Sequence, residues 1–80
     1  MLTVARFKRN MADIRTGASL ARQAQVEPQR YRVWETGREF YYLRPDEIQR
    51  IAEVLQTTPA ELADEKGHAL LWKPREQPVE

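Results

Sequence analysis

No cysteine occurs in the 80 residues of this chain, which removes two common ways of stabilising a small fold. Disulfide bonds and cysteine-ligated zinc are both excluded. A chain of this length buries about 60 to 65% of the surface that it exposes when unfolded, which suffices for one small core. We therefore expect a core that depends on tight helix packing or on a partner chain.

Basic and acidic residues are segregated along the chain. The formal net charge is +1, yet residues 1–44 have an excess of Arg and Lys, and residues 45–80 have an excess of Asp and Glu. This arrangement favours one face that binds a polyanion, although small domains also segregate charge by chance. No apolar run approaches the roughly 20 residues of a membrane span, and residues 1–15 scatter charges where a signal peptide is apolar. We expect a soluble cytoplasmic protein with no membrane partner.

Apolar side chains recur with helical spacing in two segments. The first segment predicts a helix over about residues 3–14, on a face formed by Val4, Phe7, Met11 and Ile14. The second segment follows Pro45, and its face is formed by Ile48, Ile51, Ala52 and Leu55. Pro45 suits the first helical position, and the acidic residues after it suit the positive end of the helix dipole.

Two shorter helices are predicted between these segments. Leu20, Ala21 and Ala24 mark one of them, and Pro28 opens the other, over residues 28–35. Because proline disfavours helical geometry at the residue before it, a tight turn at residues 25–27 separates the two helices. The second helix buries Tyr31 and Trp34 and ends near Gly37, which can adopt a left-handed cap.

A fifth, short helix is predicted after Thr58. Residues 58–61 form a capping box, in which the Thr58 side chain accepts from the Glu61 N–H and the Glu61 side chain returns to the cap. The predicted core comprises Phe7, Met11, Ile14, Leu20, Val26, Tyr31, Trp34, Ile48, Ile51, Leu55 and Leu62. Two apolar clusters remain, at residues 40–43 and at residues 69–72 of an irregular tail over 67–80.

Two short helices joined by a tight turn have the geometry that lets the second helix enter a DNA major groove, which is about 12 Å wide. With Tyr31 and Trp34 turned inward, the opposite side carries the residues expected to contact bases, which are Pro28, Gln29, Arg32 and Val33. Gln can bond adenine, Arg can bond guanine, and Val can contact a thymine methyl. The residues expected to contact phosphates are Arg22, Arg30, Arg38 and Arg44, with an ordinary solvated arginine as the alternative for each.

The turn and its two helices resemble the XRE family, the Cro and phage-repressor type of helix-turn-helix regulators. The matching residues are Leu20-Ala21-Arg22-Gln23-Ala24-Gln25-Val26 and Tyr31-Arg32-Val33-Trp34-Glu35-Thr36-Gly37. The resemblance extends over roughly residues 4–64. It implies an all-α, compact, five-helix lambda-repressor-like domain over residues 1–66, with the helix-turn-helix at about 17–36. It also implies that Glu35 pairs with a basic residue of the first helix, for which Arg9 is the candidate.

The chain departs from the family pattern at several positions. Gln25 replaces the usual turn glycine and must adopt the left-handed region. Gly17 stands where the family often has a Gln that contacts a phosphate. Glu27 and Pro28 replace small polar residues, and a carboxylate there repels phosphate unless it accepts from cytosine N4. The loop over residues 37–48 is about two residues longer than usual.

The resemblance implies a sequence-specific transcriptional regulator of phage or mobile-element type, expected to be a repressor. Its partner would be a double-stranded DNA operator, bound by a homodimer, because one helix reads only a few base pairs. The residues expected at the dimer interface are Tyr41, Tyr42, Leu70, Leu71 and Trp72, since a small monomer has little surface on which to hide them. The alternative is that the tail folds back over its own domain and enlarges the core.

A different function on the same fold is a protein-interaction module, such as an antitoxin or antiactivator that captures a toxin or another regulatory protein through the same aromatic clusters. An enzyme is not expected. Ser19, His68 and the scattered acids lack the spacing of a nucleophile and its base, and no glycine-rich phosphate loop occurs. We expect no cofactor and no metal.

Overall fold

The structure, a computed structural model, describes residues 2–38 and 40–72. Within these ranges the chain forms five α-helices and no β-strand, which confirms the predicted all-α class. The helices are α1 (Val4–Met11), α2 (Gly17–Gln23), α3 (Pro28–Glu35), α4 (Pro45–Leu55) and α5 (Pro59–Leu62). Each helix in the described part of the chain is too short or too polar to cross a lipid bilayer.

The core lies between α2, α3, α4 and α5. Each of these helices contributes at least one large side chain with no exposed surface. These large side chains are Leu20, Tyr31, Trp34, Ile51 and Leu62. Leu43, in the loop before α4, is also buried, and its backbone N–H donates to the carbonyl of Gly67 at 3.1 Å. The Trp34 indole N–H donates to the same carbonyl at 2.7 Å. The Gly67 carbonyl thus links α3 with the loop before α4.

The first helix is shorter than predicted and turns a different face inward. It ends at Met11 instead of continuing to residue 14, and the Met11 side chain is 73% exposed, so its assignment to the core is wrong. The buried residues of α1 are Ala5 and Arg9. The reason is electrostatic, because the buried carboxylate of Glu35 requires a cation, and turning Arg9 inward turns Met11 outward.

The start of α5 corrects a second prediction. Thr58 precedes the helix as expected, but its side chain makes no capping hydrogen bond. The Glu61 N–H donates instead to the Thr58 backbone carbonyl at 3.1 Å. The Glu61 carboxylate accepts from the Thr57 hydroxyl at 2.5 Å and lies 3.5 Å from Lys8 Nζ. The predicted capping box is therefore wrong, because these two partners hold the Glu61 side chain away from the cap.

Residues 67–72, predicted as the start of an irregular tail, pack back against the helical domain. The backbone N–H of Leu70 donates to Leu62 at 2.9 Å, and that of Trp72 donates to Leu2 at 2.8 Å. The Trp72 ring stacks on Phe7 with 3.9 Å between the ring centroids. Residues 67–72 therefore fold back over their own domain, which is the alternative given above for the tail. Residues 73–80, the rest of the predicted tail, lie outside the described residues.

Candidate nucleic-acid interface

The turn between α2 and α3 is fixed by its backbone conformation and by one arginine of α4. Gln25 has a φ of 58°, which is the left-handed conformation predicted for it. Arg50 donates from Nε to the carbonyl of Ala24 at 2.9 Å and from Nη2 to the carbonyl of Gln25 at 3.2 Å. Val26 is buried beneath the turn. These contacts hold α2 and α3 in one relative orientation.

The inner side of α3 is held by a buried network of charged and polar groups. Arg9 donates to the Glu35 carboxylate at 2.7 and 3.1 Å, which confirms the predicted pair. The Tyr31 hydroxyl donates to the same carboxylate at 2.6 Å. The Thr3 hydroxyl donates to the Glu35 backbone carbonyl at 2.9 Å. The buried polar groups of Tyr31 and Glu35 on the inner side of α3 therefore all have hydrogen-bond partners.

Two groups of this network have shifted pKa values. The hydrogen bond to Glu35 raises the pKa of the Arg9 guanidinium, which stays charged. Burial raises the pKa of the Tyr31 hydroxyl, and the neighbouring Glu35 carboxylate raises it further. Tyr31 is therefore a neutral hydrogen-bond donor at physiological pH.

Gly17 allows α2 to approach the Tyr31 ring closely, since a Cβ added at Gly17 would lie 3.2 Å from Tyr31 Cε2.

The outer side of α3 carries the residues predicted to contact bases. Gln29 and Arg32 are exposed, and Pro28 and Val33 are partly exposed. No ion pair between described residues involves Arg32. The structure thus brings the four residues together on one solvent-facing side of a helix whose opposite side is anchored.

The amino end of α3 is capped by the side chain of Glu27. Its carboxylate accepts from the backbone N–H of Gln29 at 3.2 Å and from that of Arg30 at 2.8 Å. Pro28 occupies the first helical position and has no N–H to donate. Glu27 therefore satisfies the free donors at the start of the helix, a role that the sequence did not suggest.

The arginines predicted to contact phosphates fall into two groups. Arg22 and Arg38 are exposed, and the side chain of Arg44 is 65% exposed, with its Nε 3.8 Å from both Asp46 and Glu47. Arg30 differs, because it forms an ion pair with Glu47 and its Nη2 lies 3.5 Å from the carbonyl of Tyr42. Arg30 therefore joins α3 to α4, while 44% of its side chain stays exposed, and its contact with a phosphate stays a prediction.

The residues predicted at the dimer interface differ in how far they are exposed. Tyr41 is 37% exposed and Tyr42 is 58% exposed, and the adjacent Phe40 is 85% exposed. Leu70, Leu71 and Trp72 are only partly exposed, because they pack on α1, α5 and the chain before α1. The side chains of the aromatic loop, residues 40–42, are therefore more exposed than those of residues 70–72.

A cavity of about 570 Å³ opens beside the aromatic loop. It lies between the start of α4 and the chain around α5, and its lining includes Tyr42, Leu43, Pro45, Ile48, Pro59 and Ala63. Among the described residues, no cluster of His, Asp and Glu has the arrangement of a metal site.

Sequence reasoning missed Glu47 and Arg50. Glu47 is 3% exposed and shares a helical face with Ile51 and Leu55, so the periodicity of α4 could have identified it as buried. Arg50 binds backbone carbonyls 25 and 26 residues earlier in the chain, and no local pattern signals such a contact.

Comparisons of the chain with protein-family models, curated proteins and solved structures found no match. Its function is therefore inferred from its own residues and their arrangement.

Proposed function

We propose that this chain is a sequence-specific DNA-binding transcriptional regulator in which α2 and α3 form a helix-turn-helix of the lambda-repressor type. In this proposal α3 enters the major groove of an operator duplex, and Gln29, Arg32, Val33 and Pro28 contact base edges. The resemblance to the XRE family over residues 20–37 supports this assignment. We expect the protein to act in the cytoplasm, as a repressor, without enzymatic activity.

The observation that carries the proposal is the contrast between the two sides of α3. Tyr31, Trp34 and Glu35 are buried, and Trp34 and Glu35 are hydrogen-bonded to other parts of the chain. Gln29 and Arg32 are exposed. Specific recognition requires side chains that are held on a rigid element and have free donor and acceptor groups. The outer side of α3 meets this requirement, because its helix is anchored by its inner side.

Phosphate contacts in this proposal come from exposed arginines, which are Arg22, Arg30, Arg38 and Arg44. They would set the affinity for any duplex, while the residues on α3 would set the preference for one sequence. A homodimer would present two copies of α3 to half-sites about 34 Å apart, one turn of the duplex.

Replacing Gln29 or Arg32 by Ala is expected to weaken binding to the preferred duplex by about 1–3 kcal/mol each and to relax its base preference. The reason is that each substitution removes a bidentate contact to one base. The duplex is first selected from a random library by the wild-type chain. Fluorescence anisotropy then measures its affinity and that of a scrambled duplex at several salt concentrations.

Two further variants serve as comparisons in the same measurement. Arg38→Ala is expected to weaken both duplexes in the same ratio and to reduce the salt slope by about 1, because it removes a phosphate contact. Lys66→Ala, in the exposed loop after α5, is expected to leave both affinities unchanged. Equal losses on the preferred and scrambled duplexes for Gln29→Ala and Arg32→Ala would show that α3 does not read bases.

A protein-interaction module, such as an antitoxin or antiactivator, is the second candidate function. The high exposure of Phe40 and Tyr42 beside a cavity favours it, because exposed aromatic clusters are enriched at protein interfaces. The partner would be a toxin, another regulatory protein or a second copy of the chain.

We expect the aromatic loop to form the interface of a homodimer. Sedimentation equilibrium at micromolar concentration should give a dimer for the wild type and a monomer for the double variant Tyr41→Ser, Tyr42→Ser, since the substitutions remove exposed aromatic surface. A monomeric wild type, or a double variant that still dimerises, would refute this interface.

A further inference from the structure

The amino end of α3 lacks the free donors that a helix commonly offers to a phosphate. A DNA phosphate can bind at a helix N-terminus because the first backbone N–H groups are unpaired and the dipole is positive there. In α3 the first position is Pro28, which has no N–H. The next two N–H groups, of Gln29 and Arg30, already donate to Glu27 at 3.2 and 2.8 Å. This end of the helix therefore has no N–H left in its first turn for a phosphate.

Glu27 also adds a negative charge at the end of α3 that would enter the groove first. Its side chain is exposed, and no ion pair between described residues involves it. Each oxygen of an ionised carboxylate can accept two hydrogen bonds. The cap uses Oε2 for Gln29 and Oε1 for Arg30, so each oxygen keeps capacity for one more donor. The group is thus held in place by the helix and remains able to accept.

We propose that Glu27 is a specificity-determining residue that selects cytosine at one position of each half-site. The inference rests on the proposed function, in which α3 enters the major groove. Cytosine presents its N4 amino group there as a donor, and a carboxylate accepts from it. Guanine and thymine present only acceptors and a methyl group, which offer the carboxylate no donor. Adenine has a donor at N6 but an acceptor beside it at N7, so it ranks below cytosine.

The test compares the base preferences of the wild type and of Glu27→Gln by selection from a random duplex library. Gln keeps an oxygen that can accept from the start of the helix, but it removes the charge and adds an N–H donor. We expect the wild type to prefer cytosine over guanine by about tenfold or more at one position of each half-site. Glu27→Gln should lose this preference at that position and keep the preferences at the others.

Two more variants distinguish base selection from other effects. Glu27→Ser keeps a residue that caps helices well, so it should retain the fold by circular dichroism and still lose the cytosine preference. Glu65→Gln removes one exposed negative charge from the loop after α5, and it should select the same sequence as the wild type. A change of preference at the same position in Glu65→Gln would mean that net charge is responsible, and would overturn the inference.

The possible failures of this experiment are distinct. A wild type that enriches no sequence would overturn both the proposed function and the role of Glu27. A wild type that enriches a sequence would support the proposed function. If Glu27→Gln and Glu27→Ser then select the same base as the wild type at every position, the role of Glu27 alone is refuted.

Discussion

Replacing Arg9 by Met is expected to lower the free energy of unfolding by about 3–5 kcal/mol, the cost of leaving a buried carboxylate without its cation. Arg9 is 7% exposed and Glu35 is 8% exposed, and two hydrogen bonds join them. Met has a similar length to the aliphatic part of Arg, so most of the packing of the side chain is kept. Urea unfolding followed by circular dichroism measures the loss.

A neighbouring ion pair provides the control for this substitution. Lys8 lies 3.5 Å from Glu61, but the two side chains are 31% and 57% exposed. Lys8→Met is therefore expected to change the free energy of unfolding by no more than about 1 kcal/mol. The double variant Arg9→Met, Glu35→Leu should recover part of the loss, because no buried charge is left unpaired. An effect of Arg9→Met as small as that of Lys8→Met would contradict the assigned importance of the network.

Replacing Gly67 by Ala is expected to lower the free energy of unfolding by roughly 2–4 kcal/mol, from backbone strain and overpacking together. Gly67 has a φ of 92°, and a Cβ added there would lie 2.3 Å from the carbonyl oxygen of Leu43. Backbone atoms would have to move, and the Gly67 carbonyl that accepts from Trp34 at 2.7 Å would move with them. We expect lower thermal stability and a changed near-ultraviolet circular dichroism spectrum.

Gly37→Ala is the matched control for this second substitution. Gly37 has a φ of 86°, similar to that of Gly67. A Cβ added there would lie 3.0 Å from Thr3 Cγ2 and 3.1 Å from Leu71 Cδ2, so it meets side-chain atoms, at longer distances than the backbone oxygen that it would meet at Gly67. The two variants share the unfavourable backbone conformation and differ in the collision. Gly67→Ala should be the less stable of the two, and equal stabilities would contradict the assigned collision with Leu43.

The elements with strong local signals were predictable from the sequence. Helix α3 spans Pro28–Glu35 as predicted, because Pro28 fixes its start and the left-handed Gly37 follows its end. The side of α3 that faces solvent also followed from helical periodicity, once Tyr31 and Trp34 were assigned to the core. These predictions depend on neighbouring residues only.

The errors arose where a distant residue decides the outcome. Apolar periodicity extended α1 to residue 14, but the buried Glu35 carboxylate brings Arg9 inward and leaves Met11 exposed. The ion pair of Arg30 with Glu47 was missed, because Glu47 lies on another helix. Pairings between charged residues far apart in sequence are set by the packing of helices, and local patterns do not encode them. The Arg9–Glu35 pair was predicted because the family resemblance implied it.

An NMR titration of the isotopically labelled chain with its selected duplex tests most directly whether the outer side of α3 contacts DNA bases. We predict that the largest backbone amide shifts occur at Gln29, Arg32 and Val33, with smaller shifts at Arg22. A scrambled duplex should shift Arg22 and leave the α3 residues less affected. The absence of shifts with either duplex, or shifts confined to the aromatic loop and its cavity, would contradict base contact by α3.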